Sequence, residues 1–118
     1  MERRNILIVC HDGINSAIYA DTLQAYLHKT GISERYNIRS MAIHQSNPRS
    51  GSLPWSHDTV LNADRIITVN PVAHIHVAAV LQEHGQNTPL HRIKEFHPKF
   101  GPRDEDWCEK LMLLEPRR

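Results

Sequence analysis

One short segment near the amino terminus combines a thiol, a hydroxyl and a glycine at a spacing that suits anion chemistry. It reads Val9-Cys10-His11-Asp12-Gly13-Ile14-Asn15-Ser16-Ala17. Cys10 ends an apolar run, and the pattern that follows predicts a helix. A turn of this kind aims several backbone N–H groups at one point and forms an anion site. The same field favours the thiolate of a cysteine, which is the nucleophilic form.

The residues after Cys10 have both chemical and structural interpretations. The candidate phosphate ligands are the six residues of the turn: His11, Asp12, Gly13, Ile14, Asn15 and Ser16. Gly13 permits a positive φ, and the Ser16 hydroxyl suits a bond to the sulfur or to a phosphate oxygen. A protonated His11 would add positive charge. However, any α/β protein needs a tight turn here, and Asn15 or Ser16 also suits a helix N-cap.

Alternating strand and helix patterns place this turn at one edge of a sheet. Strands are predicted over residues 6–10, 37–43, 65–69 and 90–93. Helices are predicted over 16–28, 71–84 and 104–114, with one helical turn at 58–62. This order predicts a single α/β domain over 1–118, with three layers and a four-stranded parallel sheet. The expected strand order is 2-1-3-4 with helices on both faces.

In such a sheet a ligand sits beyond the carboxyl ends of the strands, where the strand order reverses. That point lies between the first and third strands, at the turn after Cys10. Asn70 follows the third strand at the same edge and is a candidate for shaping the site. The Asn70-Pro71 pair is also typical of an ordinary turn and helix start, which is the favoured interpretation.

Composition excludes several classes of function. The chain has 118 residues with 14 Lys+Arg and 13 Asp+Glu, a formal net charge of +1. This balance predicts no nucleic-acid or membrane partner. No signal peptide or spanning segment is recognised, and two cysteines make no disulfide framework. The nine histidines are scattered without metal-ligand spacing. We therefore expect a cytoplasmic domain with no metal and no cofactor.

The polar segment 44–56 is predicted to be a surface loop and a candidate contact for a protein partner. Trp55 within it either contacts a partner or packs back onto its own domain. Trp107, by its spacing with Leu111 and Leu114, is predicted to lie in the core. Cys108 beside it has no evident partner in the sequence.

Three segments, in this order, resemble the low-molecular-weight protein tyrosine phosphatase family. They are Val9-Cys10-x5-Ser16-Ala17, the run from Asn62 to Val69, and Phe100-Gly101-Pro102-Arg103-Asp104-Glu105-Asp106-Trp107. The resemblance implies the phosphatase fold and a cysteine that attacks a phosphate monoester. Water then hydrolyses the phosphocysteine. In that family an arginine six residues after the cysteine holds the phosphate, and an aspartate before a proline protonates the leaving group.

The sequence departs from the phosphatase pattern at both of these positions. Ser16 stands in place of the arginine, and the acid position falls on Gly101, so Asp104 or Asp106 would have to replace the acid. Each loss costs roughly 10²–10⁴ in rate. A positive charge would have to come from elsewhere. The candidates are Arg49, Arg92 and Arg103, of which Arg103 is best placed because the family's acid loop closes over the site.

The pattern Cys-x-x-Gly-Ile-x-Ser at Cys10–Ser16 is also similar to the phosphocysteine loop of enzyme-IIB domains of sugar phosphotransferase systems. Those domains carry phosphate on the cysteine. Three functions therefore stay open. The first is a degenerate phosphatase, a pseudoenzyme that binds a phosphorylated protein, a small phosphate ester or a partner. The second is an active divergent phosphomonoesterase with Cys10 as nucleophile and Asp104 as acid. The third is a phosphocysteine carrier.

Overall fold

Four parallel strands in the order β2-β1-β3-β4 form the centre of the molecule. The computed structural model describes residues 3–44, 51–96, 101 and 103–116. The strands are β1 (Arg4–Cys10), β2 (Tyr36–Ala42), β3 (Arg65–Thr68) and β4 (Leu90–Arg92). The predicted sheet and its 2-1-3-4 order are confirmed.

Helices cover both faces of the sheet. They are α1 (Ile14–Lys29), α2 (His57–Leu61), α3 (Pro71–Glu83) and α4 (Asp106–Met112). Because side chains of a strand alternate between faces, Ile6 and Ile8 pack into a core with residues of α1 and α4. Leu7 and Val9 pack into a second core with residues of α2 and α3. The three-layer architecture predicted from the sequence is therefore present.

The register of the sheet brings the candidate residues to one edge. Cys10 pairs with Ala42, the last residue of β2, and Val9 pairs with Thr68, the last residue of β3. The turn after β1 and the residues after β3 therefore emerge side by side, as parallel strands require.

Ser52 and Leu53, near the carboxy-terminal end of the predicted surface loop, pack and pair against β2. Leu53 forms a parallel bridge with Met41. Its N–H donates to Ser40 O at 2.8 Å, and its carbonyl accepts the N–H of Ala42 at 3.0 Å. Ser52 is buried, with 7% of its surface exposed. The prediction of an exposed loop is wrong for these residues, whereas 45–50, with Arg49, lie outside the described residues.

Trp55 packs onto its own domain, which was one of its two interpretations. Its ring is half-buried against the core under α2 and α3. It also lies edge-on to the rings of His57 and His76, at centroid distances of 5.9 and 6.0 Å. A partner contact through residues 44–56 stays a prediction.

The last helix is shorter than predicted. Trp107 and Leu111 are fully buried, as expected of core residues, but Leu114 is 49% exposed. The helical spacing of these three residues would place them on one face only if the helix continued. Because α4 ends at Met112, the chain turns and carries Leu114 away from the core.

A buried carboxylate ties the two ends of the chain together. Glu115 accepts the Arg4 Nε–H at 2.7 Å and forms a second ion pair with Arg65. Arg65 is 6% exposed and also donates to Leu114 O at 3.0 Å. Burial raises the pKa of Glu115, but hydrogen bonds and charges from Arg4 and Arg65 outweigh it and hold the pKa below its ordinary value.

Within the residues that the structure describes, no helix has the length and apolar character needed to cross a membrane.

Candidate functional site

The thiol of Cys10 is the point on which the turn after β1 converges. Cys10 is 1% exposed. Its Sγ accepts the N–H of Gly13 at 3.0 Å and the N–H of Ser16 at 3.3 Å. The Ser16 Oγ lies 3.2 Å from the sulfur. Two backbone donors aimed at one sulfur form the concave arrangement that holds an anion.

The turn closes tightly because position 13 is a glycine. Gly13 has a φ of 82°, in the left-handed region. A Cβ at this position would lie 2.9 Å from the Cβ atoms of both Ala42 and Ser52. Real Cβ atoms do not approach so closely, so the backbone conformation and the lack of space both require glycine.

Asp12 supplies an internal anion to the same turn. Its Oδ1 accepts the N–H of Ile14 at 3.0 Å and lies 3.6 Å from Cys10 Sγ. This contact also explains why α1 begins at Ile14 rather than at the predicted Ser16. The first N–H groups of a helix need partners, and here Asp12 and the Cys10 sulfur provide them.

Asn15 and Ser16, for which a helix N-cap was the alternative to a phosphate-binding role, lie inside the helix. Asn15 is exposed on its first turn, and Ile14 is 42% exposed. The N-cap residue of α1 is Gly13, which has no side chain to cap the helix.

A layer of buried hydroxyls lies beneath the turn. Ser52 Oγ is 3.4 Å from Ser16 Oγ and 2.9 Å from Ser40 Oγ. Ser52 Oγ also donates to Gly13 O at 2.5 Å. Neither Ser40 nor Ser52 was predicted to belong to the site. An Arg-Ser-Met strand and a Gly-Ser-Leu loop carry no local signal for such a role, because only the pairing of Leu53 with Met41 brings Ser52 here.

Two histidines extend from the carboxyl ends of β1 and β2. The rings of His11 and His44 are 6.1 Å apart, and both residues are exposed. Their backbones are joined by a hydrogen bond from His44 N–H to His11 O at 2.8 Å. His11 therefore lies beside Cys10 at the surface, next to a second imidazole that the sequence analysis did not single out.

Asn70 serves as the N-cap of α3. Its Oδ1 accepts the N–H of Ala73 at 2.9 Å, and Pro71 occupies the first helical position. Its side-chain oxygen is therefore used in starting the helix, in line with the favoured interpretation. Asn70 nevertheless follows β3 at the same edge of the sheet as Cys10.

The candidate acid lies at the start of α4. Asp104 Oδ1 accepts the N–H of Asp106 at 3.1 Å, so this carboxylate helps to begin the helix. Arg103 beside it is exposed, as is Arg92. Residues 97–100 and Pro102 of the resembled acid loop lie outside the described residues.

Cys108, in contrast to Cys10, belongs to the core. It is fully buried in the cluster that contains Tyr19 and Trp107. Burial, followed by the charges of Glu105 and Asp104, raises the pKa of Cys108 to about 12. We therefore expect iodoacetamide at about pH 8 to leave Cys108 unmodified in the folded protein and to alkylate it in guanidinium. Peptide mapping by mass spectrometry would measure both; equal labelling in the two conditions would contradict the structure.

Across the described parts of the chain, no three His, Cys, Asp or Glu side chains are grouped to hold a metal ion.

Comparison with known proteins identifies the fold. No protein-family model matches the sequence, and no curated protein matches it significantly. Among solved structures, a protein tyrosine phosphatase from Entamoeba histolytica matches with a TM-score of 0.74 and 17% identity, over 93% of this chain and 95% of that one. The phosphatase SP-PTP from Streptococcus pyogenes matches with a TM-score of 0.69 and 12% identity, over 97% of this chain and 95% of that one. A mutant of YwlE from Bacillus subtilis matches with a TM-score of 0.68 and 15% identity, over 92% of this chain and 99% of that one. The chain therefore has the low-molecular-weight protein tyrosine phosphatase fold, in a form whose sequence has diverged far from these structures.

Proposed function

We propose that the turn from Cys10 to Ser16 binds a phosphorylated or other anionic group and hydrolyses phosphate esters weakly or not at all. The observation that carries this proposal is the convergence of the Gly13 and Ser16 N–H groups on the sulfur of Cys10. The turn lies at the carboxyl edge of a parallel sheet, where such folds bind ligands. One structural neighbour, the Entamoeba histolytica phosphatase, holds the sulfonate buffer Hepes in its active site.

Three features argue for weak turnover. Position 16 carries a serine, so the turn lacks the bidentate charge that an arginine gives to a phosphate. The carboxylate of Asp12, 3.6 Å from the sulfur, repels a phosphate dianion. Asp104, the replacement acid, is already engaged with the N–H of Asp106. Loss of the arginine and loss of a general acid each cost roughly 10²–10⁴ in rate.

In the proposed complex, the backbone amides from Gly13 to Ser16 donate to the oxygens of the anion. The Ile14 N–H is held by Asp12, so an incoming anion displaces that carboxylate. Exposed cationic groups, His11 when protonated and Arg103, supply the charge that the turn lacks. The natural ligand is a phosphorylated protein or a small phosphate ester. Its identity does not follow from the fold, since one neighbour, YwlE, is an arginine phosphatase.

The experiment is a titration of the ¹⁵N-labelled wild-type protein with vanadate and with inorganic phosphate, followed by NMR. We expect the amide signals of Gly13, Ile14 and Ser16 to shift together and to saturate. An aryl phosphate assay in parallel separates binding from turnover, with Cys10→Ala as the blank. Ordinary phosphatase rates that vanish in Cys10→Ala would establish the active phosphomonoesterase instead. Stable phosphorylation of Cys10 by a phosphohistidine donor would establish the carrier.

Neutralising Asp12 is expected to tighten anion binding. In Asp12→Asn we expect vanadate affinity to rise about tenfold, because a like charge within a few ångströms of the anion is removed while the side-chain oxygen that accepts from Ile14 stays. The same NMR titration measures the dissociation constant.

The matched control for that substitution is Asp21→Asn. Asp21 is exposed on α1, outside the turn, and the change alters net charge equally. If both variants tightened binding to the same extent, the effect would come from overall charge, and the role assigned to the Asp12 carboxylate would be wrong.

A further inference from the structure

Ser52 joins a distant segment of the chain directly to the backbone of the anion turn. It is 39 residues from Gly13 in sequence, yet its Oγ donates to Gly13 O at 2.5 Å. It is 7% exposed and fixed from both sides, by Ser40 Oγ at 2.9 Å and by the bridge of Leu53 with Met41. Because the Ser52 hydroxyl is fixed on both sides, it restrains the position of the Gly13 carbonyl oxygen that accepts its hydrogen bond.

The accepting carbonyl belongs to the same peptide unit as the Ile14 N–H. A trans peptide points its C=O and its N–H in opposite directions, and no described peptide bond of this chain is cis. With Gly13 O directed onto Ser52 beneath the turn, the Ile14 N–H must point to the other side. There it meets Asp12 Oδ1 at 3.0 Å, on the carboxylate that also approaches Cys10 Sγ.

The Gly13–Ile14 peptide unit rotates about ψ of Gly13 and φ of Ile14, and the lack of a Cβ leaves ψ of glycine less restricted than that of other residues. A rotation of this unit would swing the Ile14 N–H away from the anion and bring the Gly13 carbonyl oxygen toward it. The bond from Ser52 to Gly13 O therefore favours the orientation that attracts an anion.

We propose that Ser52 is a positioning residue of the anion site, which keeps the Gly13–Ile14 peptide turned with its N–H toward the bound anion. This inference rests on the proposed function for its consequence in binding, but its structural part holds for the ligand-free protein. Ser52 touches the turn from beneath, through Gly13 O and Ser16 Oγ, and acts on an anion only through that backbone.

The test compares Ser52→Ala with Ser56→Ala by amide hydrogen exchange and vanadate titration. Ser56 lies on the same segment and caps α2 by accepting the Thr59 N–H at 3.4 Å, away from the turn. In Ser52→Ala we expect amide exchange of Gly13 and Ser16 to quicken and vanadate affinity to fall about fivefold to tenfold. The amides of Ala42 and Leu53, which donate the two hydrogen bonds of the bridge between Met41 and Leu53, keep their protection. Ser56→Ala leaves the turn and the affinity unchanged.

Each result of this comparison decides one question. Faster exchange at Ala42 and Leu53 as well as at Gly13 would show that Ser52 only supports the segment, and would overturn the inference. Unchanged exchange at the turn would also overturn it. If the wild-type protein bound no vanadate, the proposed function would fail, while the exchange rates of the turn would still test Ser52. Should Ser52→Ala not fold, Ser40→Ala takes its place, because it removes the hydroxyl 2.9 Å from Ser52 Oγ that fixes this donor.

Discussion

Gly13→Ala is expected to lower the free energy of unfolding by about 2–5 kcal/mol and to abolish vanadate binding at the turn. A side chain in the left-handed region costs about 1–2 kcal/mol, and overpacking a closed site adds about 1–3 kcal/mol. The new methyl would meet the Cβ atoms of Ala42 and Ser52 at 2.9 Å. Ala42, the last residue of β2, is fully buried and held by the bond from its N–H to Leu53 O, so the turn rather than the strand has to move.

Gly31→Ala is the matched control for this prediction. Gly31 has a φ of 79°, close to that of Gly13, but nothing lies within 4 Å of the position its Cβ would take. Gly31→Ala should therefore lower the free energy of unfolding only by the cost of a left-handed backbone, about 1–2 kcal/mol. Urea denaturation of both variants measures the difference. Equal losses of stability would mean that the turn has room for a side chain, and would contradict the close contact described above.

Glu115→Gln is expected to destabilise the fold by about 3–5 kcal/mol, since removing one partner of a buried ion pair leaves a charge without compensation. The charge left behind is that of Arg65, whose side chain is 8% exposed. Glu105→Gln is the control. Glu105 pairs with Lys29 at 3.0 Å, but both side chains are exposed, so its loss should cost less than about 1 kcal/mol. Similar losses in the two variants would rule out the special role of the buried pair.

The same carboxylate predicts how stability depends on pH. The folded pKa of Glu115 lies below its ordinary value of 4.5, so its contribution is complete above that value and is lost as the pH falls through the folded pKa. Burial, with the charge of Arg65, lowers the pKa of His91 below 6.5, so stability already declines below that pH. In Glu115→Gln we expect the decline that begins near 6.5 to remain and the steeper one below 4.5 to shrink. Denaturation midpoints across this range measure both.

The sheet was predictable because its strands carry their own signals. The 6–10 and 65–69 segments are almost entirely apolar, which is typical of strands covered on both faces, and glycine or proline separates the elements. The order of elements then restricts the topology to a few arrangements. The tight turn after Cys10 was also predictable, since Cys10 and Gly13 lie close together in the chain, and its anion binding stays a prediction.

What could not be predicted depends on contacts between segments distant in sequence. The start of α1 was misplaced because a sulfur and a carboxylate, rather than an N-cap side chain, satisfy its first amides. Ser52 was not predicted because the sequence around it contains no pattern that indicates the pairing of Leu53 with Met41. Leu114 was misplaced because helical spacing does not show where a helix ends. The ion pair of Glu115 with Arg4 was also not predicted, because the two residues are 111 positions apart and no local sequence pattern connects them.

The pairing of Leu53 with Met41 also covers part of a strand edge to which a second copy of the chain could otherwise bind. β2 is the outermost strand on its side of the sheet, and an open strand edge is a template on which a second chain can add by backbone hydrogen bonds. Leu53 occupies that edge from Ser40 to Ala42. Directly before this stretch stands Arg39, an exposed charged side chain of the kind that discourages edge-to-edge addition. Leu53 and Arg39 thus cover part of the edge strand beside the site, and addition of a second copy along that stretch is disfavoured.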